Sequence, residues 1–289
     1  MFTLKAPAKI NLTLEVLEKR KDGYHEITSI IQTISLADIL EFQPAEKFVF
    51  HCDNSEWKAE KSLVSRAAIL FASNTDARCG ARINIQKKIP LSAGLGGESS
   101  AAAITLVGLN HLLHTELLPG DLYHLAEQLG SDVPFFLTGG TALVSGRGEK
   151  VSPLPSLPHH WVILLVPPEM ETPGKTEKMY SLLKPIYFTS GLITDSFISS
   201  LTLGKMKTLP ELYNVFDEVA GEMFERIEWH KEQFYLAGAK SVNMAGSGPV
   251  LFSLEEDESR AEQITQRLSE RGLKAILTHT LDSNGHDFI

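Results

Sequence analysis

The stretch "PLSAGLGGESSAAA", residues 90–103, places Gly94, Gly96 and Gly97 and then two serines directly in front of a helical pattern. Glycines in such a loop adopt backbone conformations closed to other residues and let amide N–H groups approach an anion closely. The helix that follows turns its positive end toward the same spot, and the alanines at 101–103 keep its first turn slim and strongly helical. Ser99 and Ser100 are placed to cap that helix or to set hydroxyls on a phosphate or its Mg²⁺. The loop therefore reads as a phosphate cradle; the bland alternative is a turn that merely joins a strand to a helix.

Other glycine-rich phosphate loops do not match. A dinucleotide fingerprint needs GxGxxG straight off a strand, but Ser99 stands where the third glycine would be and "KIPLSA" intervenes. Glu116 lies at about the right distance for a ribose carboxylate, yet no strand leads to it. The Walker pattern GxxxxGK[ST] and the lysine, HRD and DFG elements of protein kinases are absent.

Working outward from the loop, apolar runs predict strands at 10–17, 33–42, 47–52, 81–87, 141–145 and 160–166. Helical periodicity covers 62–72, 100–114 and 121–129, with Ala102, Leu106, Leu109 and Leu113 on one face of the second. The Pro-rich segment "VSPLPSLPHH", 151–160, reads as a connection, and the tail from 239 reads strand, glycine turn, strand, helix, strand. Helices and strands do not alternate regularly, so the prediction is two α+β domains, 1–156 and 157–289, rather than one doubly wound sheet.

Composition narrows the function classes. A formal charge of -9 over 289 residues argues against a broad basic face for nucleic acid or an anionic membrane, and directs attention to a small-molecule ligand. Cys52 and Cys79 match no metal spacing and are too few for a disulfide framework. The first residues lack the apolar core of a signal peptide, and the longest apolar run, "WVILLVPP", is too short to span a bilayer, so the expectation is a cytoplasmic protein.

Several motifs read blandly in isolation. Lys9 in "PAKINL" is then a solvated lysine, Asp132 in "GSDVPFF" a turn residue, "DGYHE" at 22–26 a hairpin turn, Tyr180 a packing residue and "AGSGP" at 245–249 another hairpin turn. Together they carry more. The pattern of Pro90, GLG, two serines and small residues resembles the phosphate motif of the GHMP kinases. "APAKINLTLEVLEKRKDGYHEITSI", "GSDVPFFLTGGTALVSGRGE" and "MAGSGPVLFSL" resemble the 4-diphosphocytidyl-2-C-methyl-D-erythritol kinase branch of that superfamily, almost end to end.

The resemblance implies ATP- and Mg²⁺-dependent phosphorylation of the 2-hydroxyl of a methylerythritol carrying a cytidine diphosphate, in non-mevalonate isoprenoid synthesis. It implies a first domain of the ribosomal protein S5 domain 2-like type and a ferredoxin-like second domain, with the active site in the cleft between them. Carried over by position, Lys9 and Asp132 are catalytic. Pro90, Leu91, Ser92, Ala93, Gly94, Leu95, Gly96, Gly97, Glu98, Ser99 and Ser100 bind ATP, with Ser99 or Ser100 toward the metal. Tyr24 and His25 engage the cytosine, Tyr180 closes its other face, and Asn11 faces the substrate beside Lys9. Gly246, Ser247 and Gly248 brace the second domain against the site.

Glu98, Ala101 and Ser62 depart from the family pattern. A carboxylate beside phosphates is repulsive, so Glu98 is expected to face solvent, and Ala101 to leave one polar contact missing. The alternatives are a GHMP kinase for another small alcohol, of homoserine or mevalonate type, and a non-catalytic sensor on the same fold. "GYHEI" speaks against the first, and retention of both Lys9 and Asp132 against the second.

Overall fold

The computed structural model describes residues 1–76, 79–168, 174–203 and 209–282; residues 283–289, the end of the expected second domain, lie outside the described residues. The chain opens on a long hairpin of β1 (Phe2–Lys19) and β2 (His25–Ala45), whose last pair is Lys19 with His25. The turn between them is therefore the one that "DGYHE" predicts. Both strands outrun the apolar runs at 10–17 and 33–42, because buried residues of their arms, Ala6, Ala8, Ile27, Ile30 and Ile31, are interspersed with polar ones such as Lys9, Ser29 and Gln32, which break the run.

Along β1 the even positions Ala8, Ile10 and Leu12 are apolar, whereas the odd positions Lys9, Asn11, Thr13 and Glu15 are polar, yet all are buried. A strand buried on both faces with polar groups on one of them implies a second layer that must satisfy those groups. The partners come from both halves of the chain: Ser29 and Asp132 for Asn11 and Lys9, and Thr194 for Thr13 and Glu15.

The first sheet runs β3 (Val49–Cys52), β4 (Gly80–Gln86), β2, β1, β8 (Tyr213–Asn214), with β5 (Thr141–Gly146) on β2 and β6 (Lys150–Pro153) on β5. β2 serves β4 with residues 39–45 and β5 with residues 27–32, which accounts for its length. β6 takes the start of the Pro-rich segment that reads as a connection. It is an edge strand, where Pro153 at its end has no ladder bond to donate.

Helices α1 (Leu63–Ser73), α2 (Gly97–Leu113), α3 (Pro119–Leu129) and the short α4 (Phe135–Thr138) pack one face of this sheet around Phe42, Phe71, Ile83 and Leu106. Each such fully buried side chain contributes roughly 1.5–3 kcal/mol.

The second sheet is antiparallel, in the order β11 (Ala275–His279), β7 (Trp161–Leu165), β10 (Leu251–Glu255), β9 (Asn243–Met244). It is accompanied by α5 (Lys175–Leu182), α6 (Leu192–Thr202), α7 (Ala220–Met223), α8 (Ile227–Ala237) and α9 (Glu258–Glu270). One apolar cluster joins the two sheets: Ala8, Ile10 and Leu12 from β1, Ala93 and Leu95 from the glycine loop, and Val162, Leu164 and Phe252 from the second sheet. The short β8, from the later half, also extends the first sheet in parallel beside β1. Among the described residues no helix is long and apolar enough to cross a membrane.

Candidate active site

The glycine loop is held from below. Lys87 ion-pairs with the fully buried Asp38 at 2.5 Å, and the other oxygen of Asp38 accepts from the Lys88 and Ile89 amides at 2.8 Å each, fixing the chain as it enters the loop. Ala93 and Leu95 anchor the loop in the joining core, and the Lys9 amide donates to Leu95 O at 2.9 Å, tying it to β1. Gly96, at φ +72°, occupies the cap position of α2, so the helix starts at Gly97, three residues before the predicted start. No side chain caps it, neither Ser99 nor Ser100. First-turn amides without a cap and the helix dipole make an anion seat.

Ser100 Oγ is fully buried and has no hydrogen-bond partner, an orphaned oxygen at the foot of that seat. Glu98 departs from the expectation that it faces solvent. Its Oε1 accepts from the Trp57 indole and its Oε2 from the Leu63 amide, both at 3.2 Å. The Leu63 amide at the start of α1 and the Trp57 indole ahead of it draw the carboxylate sideways, which stabilises that helix end and removes the charge from the loop by a different route.

Lys9 is 4% exposed, the reverse of a solvated lysine. Its ammonium donates to Asn11 Oδ1 at 2.8 Å and lies 3.6 Å from an Asp132 oxygen, and Asn11 passes the constraint on by donating to Ser29 Oγ at 2.9 Å. The lysine is thus locked, whereas the Asp132 side chain is 38% exposed and open to a ligand.

Lys9, Asn11, Tyr24, His25, Asp132 and Tyr180, with Ser92, Gly94 and Gly96 of the loop, line one cavity of about 1380 Å³ between the two halves of the chain. Pro90, Leu91, Ala93, Leu95, Gly97, Glu98, Ser99 and Ser100 do not line it. The His25 ring stacks on Tyr180 with centroids 5.0 Å apart and 13° between planes, Phe188 meets His25 edge-on, and Phe216 meets Tyr180 edge-on. Burial, and then the Lys19 charge, lower the pKa of His25, so the imidazole is neutral at pH 7 and offers one donor and one acceptor. Burial raises the Tyr180 phenol, with Asp132 adding to it. Tyr24 is 54% exposed and carries the Arg147 guanidinium 4.8 Å over its ring.

The late glycines form a loop that packs on the first one. A Cβ on Gly94, at φ +80°, would stand 2.1 Å from Ala245 O, and one on Gly246 would stand 2.8 Å from Gly94 O and 3.0 Å from Lys9 Nζ. Neither position tolerates a side chain. Asn214, whose segment gives no role from sequence, clamps this loop: its Nδ2 donates to Met244 O and Gly246 O at 2.7 and 2.8 Å, and its Oδ1 accepts from the Phe216 amide. Sequence reasoning also passes over Lys175 and Thr176. Thr176 Oγ1 is 2.9 Å from Ser247 Oγ, and nothing in "GKTEKMY" signals that α5 touches both loops.

Among the described residues no group of three or more His, Cys, Asp or Glu could hold a metal ion. A phosphate-borne Mg²⁺ needs only one or two protein oxygens, and the orphaned Ser100 hydroxyl suits such a demand.

Residues 62–140 match the family described as GHMP kinases N terminal domain, and residues 198–274 that described as GHMP kinases C terminal. A 4-diphosphocytidyl-2-C-methyl-D-erythritol kinase of Dehalococcoides mccartyi is 46% identical over 281 residues, covering 97% of this chain and 99% of the relative. A crystal structure of 4-(cytidine 5'-diphospho)-2C-methyl-D-erythritol kinase superposes with a TM-score of 0.83 at 33% identity, over 96% of this chain and 99% of that one. A homoserine kinase from Cytophaga hutchinsonii, at 17% identity, shares the fold with a TM-score of 0.70 over 98% of this chain and 96% of its own.

Proposed function

The chain belongs to the GHMP kinases and, within them, to the 4-diphosphocytidyl-2-C-methyl-D-erythritol kinases, and on that premise we propose that it transfers the terminal phosphoryl group of ATP to the 2-hydroxyl of 4-diphosphocytidyl-2-C-methyl-D-erythritol. The observation that carries this reading is the shared cavity, in which the Lys9–Asp132 pair meets both the glycine loop and the stacked His25 and Tyr180 rings.

Phosphoryl transfer asks the protein mainly for alignment and for neutralisation of charge developing on the transferred group. Loop amides around 94–100 receive the polyphosphate. Lys9, held by Asn11, sets a fixed positive charge beside the transferred group and the acceptor oxygen. Asp132 accepts a hydrogen bond from the acceptor hydroxyl and takes its proton as the new P–O bond forms and the bond from the terminal phosphorus to the bridging oxygen breaks, leaving ADP. Tyr24, His25 and Tyr180 receive the cytosine, His25 reading its edge through a neutral imidazole and the tyrosines supplying ring faces. Asn11 completes the substrate wall. Mg²⁺ borne by the nucleotide, when bound, neutralises phosphate charge, and Ser99 and Ser100 are the hydroxyls that would meet it.

Coupled ADP release tests the reading, with the cytidine-linked substrate set against homoserine and mevalonate. Turnover is expected on the first alone. No turnover on any of the three would mark a protein that binds without catalysis.

A further inference from the structure

Lys175, the first residue of α5, is 7% exposed, and among the described residues no carboxylate pairs with its ammonium. Its two acceptors are backbone carbonyls from different loops. Nζ donates to Ser92 O at 2.5 Å, in the phosphate loop, and to Gly248 O, in the late glycine loop. The next residue, Thr176, reaches Ser247. Where two loops present carbonyl oxygens to one point, those oxygens repel unless a donor with several N–H groups stands between them, and an ammonium offers three. The late loop in turn backs Lys9, since the space above Gly246 is closed at 3.0 Å by Lys9 Nζ.

We propose that Lys175 is a positioning residue for the phosphoryl transfer: its ammonium ties the phosphate loop to the late glycine loop and so fixes the phosphate seat relative to Lys9 and Asp132. The proposal rests on the kinase reading above.

The setting of the ammonium makes the tie sensitive to pH. From β1 it faces Lys9, itself paired with Asp132. The phosphate loop and the late loop carry no titratable side chain between 90 and 97 or between 245 and 249, and its own helix adds Glu177, Lys178 and Tyr180. Burial first, then the Lys9 charge, bring its pKa down to about 8. Below that pH the tie is made by a cation. Above it a neutral amine makes weaker bonds to the same carbonyls.

The test compares wild type with Lys175→Met and Lys175→Arg. For Lys175→Met we expect kcat at least thirtyfold lower, affinity for a non-hydrolysable ATP analogue within threefold of wild type, and faster amide hydrogen exchange in both 92–96 and 245–249. Lys175→Arg, which keeps charge and several donors, should recover kcat to within fivefold. The alkaline fall of wild-type kcat/KM, expected above about pH 8, should move to higher pH in this variant, because a guanidinium stays charged. Methionine at wild-type kcat, exchange changes confined to 175–182, or nucleotide affinity falling in step with kcat would overturn the proposal. Absence of wild-type turnover would overturn the kinase reading instead, and the exchange comparison would still decide the tie.

Discussion

The glycine loops at 94–97 and 246–248 lie back to back, yet they come to their shapes by different means. The first leads straight into α2, with Lys87 to Ile89 before it pinned on Asp38, 50 residues back from Lys88, and Ala93 and Leu95 in the core beneath it. The second joins two short strands and is held by groups distant in sequence, Asn214 from β8 and Lys175 and Thr176 from α5. A loop that runs straight into an uncapped helix start can offer its amides as a ready anion seat. A loop fixed from afar can carry the position of one half of the molecule into the other, and the late loop does so where it meets Gly94 and Lys9.

Substitutions separate these two roles. The largest effect is expected from Asp132→Asn, which leaves both loops untouched: turnover should fall about a thousandfold with nucleotide affinity unchanged, as steady-state kinetics beside a binding titration would read. Gly94→Ala attacks the contact itself, because the added methyl would stand 2.1 Å from Ala245 O on a backbone at φ +80°. About 1–3 kcal/mol of stability should be lost in denaturant unfolding, with kcat/KM for ATP down by an order of magnitude or more.

Asn214→Ala frees only the late loop, leaving two carbonyls and the Phe216 amide without their partner. It should cost about 2 kcal/mol and lower kcat, while the nucleotide dissociation constant stays close to that of wild type. The smallest change belongs to Glu98→Gln, which sets an amide group against one of two N–H donors. About 1 kcal/mol should be lost, with KM for ATP within threefold. A large rise in that KM would mean that the Glu98 charge acts on the nucleotide directly.

The same contrast explains what was legible in the sequence. The first loop announces itself because its signals, glycines, serines, alanines and a helical period, lie in one stretch, although Asp38, Lys9 and Lys175, which hold it, do not. The β1–β2 hairpin and helices α1 to α3 are legible for the same reason, since period and turn chemistry are local. Burial of Lys9 is not local. "PAKINL" does not say that the two glycine loops and Asp132 close around the lysine side chain, so it reads as solvated until those distant segments are in place. Lys175 is invisible for a related reason, because its partners at Ser92 and Gly248 are backbone atoms, which no residue type advertises. Glu98 reads as solvent-facing from the loop alone, because its donors, the Trp57 indole and the Leu63 amide, lie 41 and 35 residues upstream.

The most direct test is a crystal structure with a non-hydrolysable ATP analogue and the cytidine-linked alcohol bound together. The account predicts polyphosphate oxygens on the amides of 94–100, with the acceptor hydroxyl lodged between Lys9 and Asp132. A nucleotide seated away from those amides, or Lys9 and Asp132 drawn apart with the hydroxyl meeting neither, would contradict it.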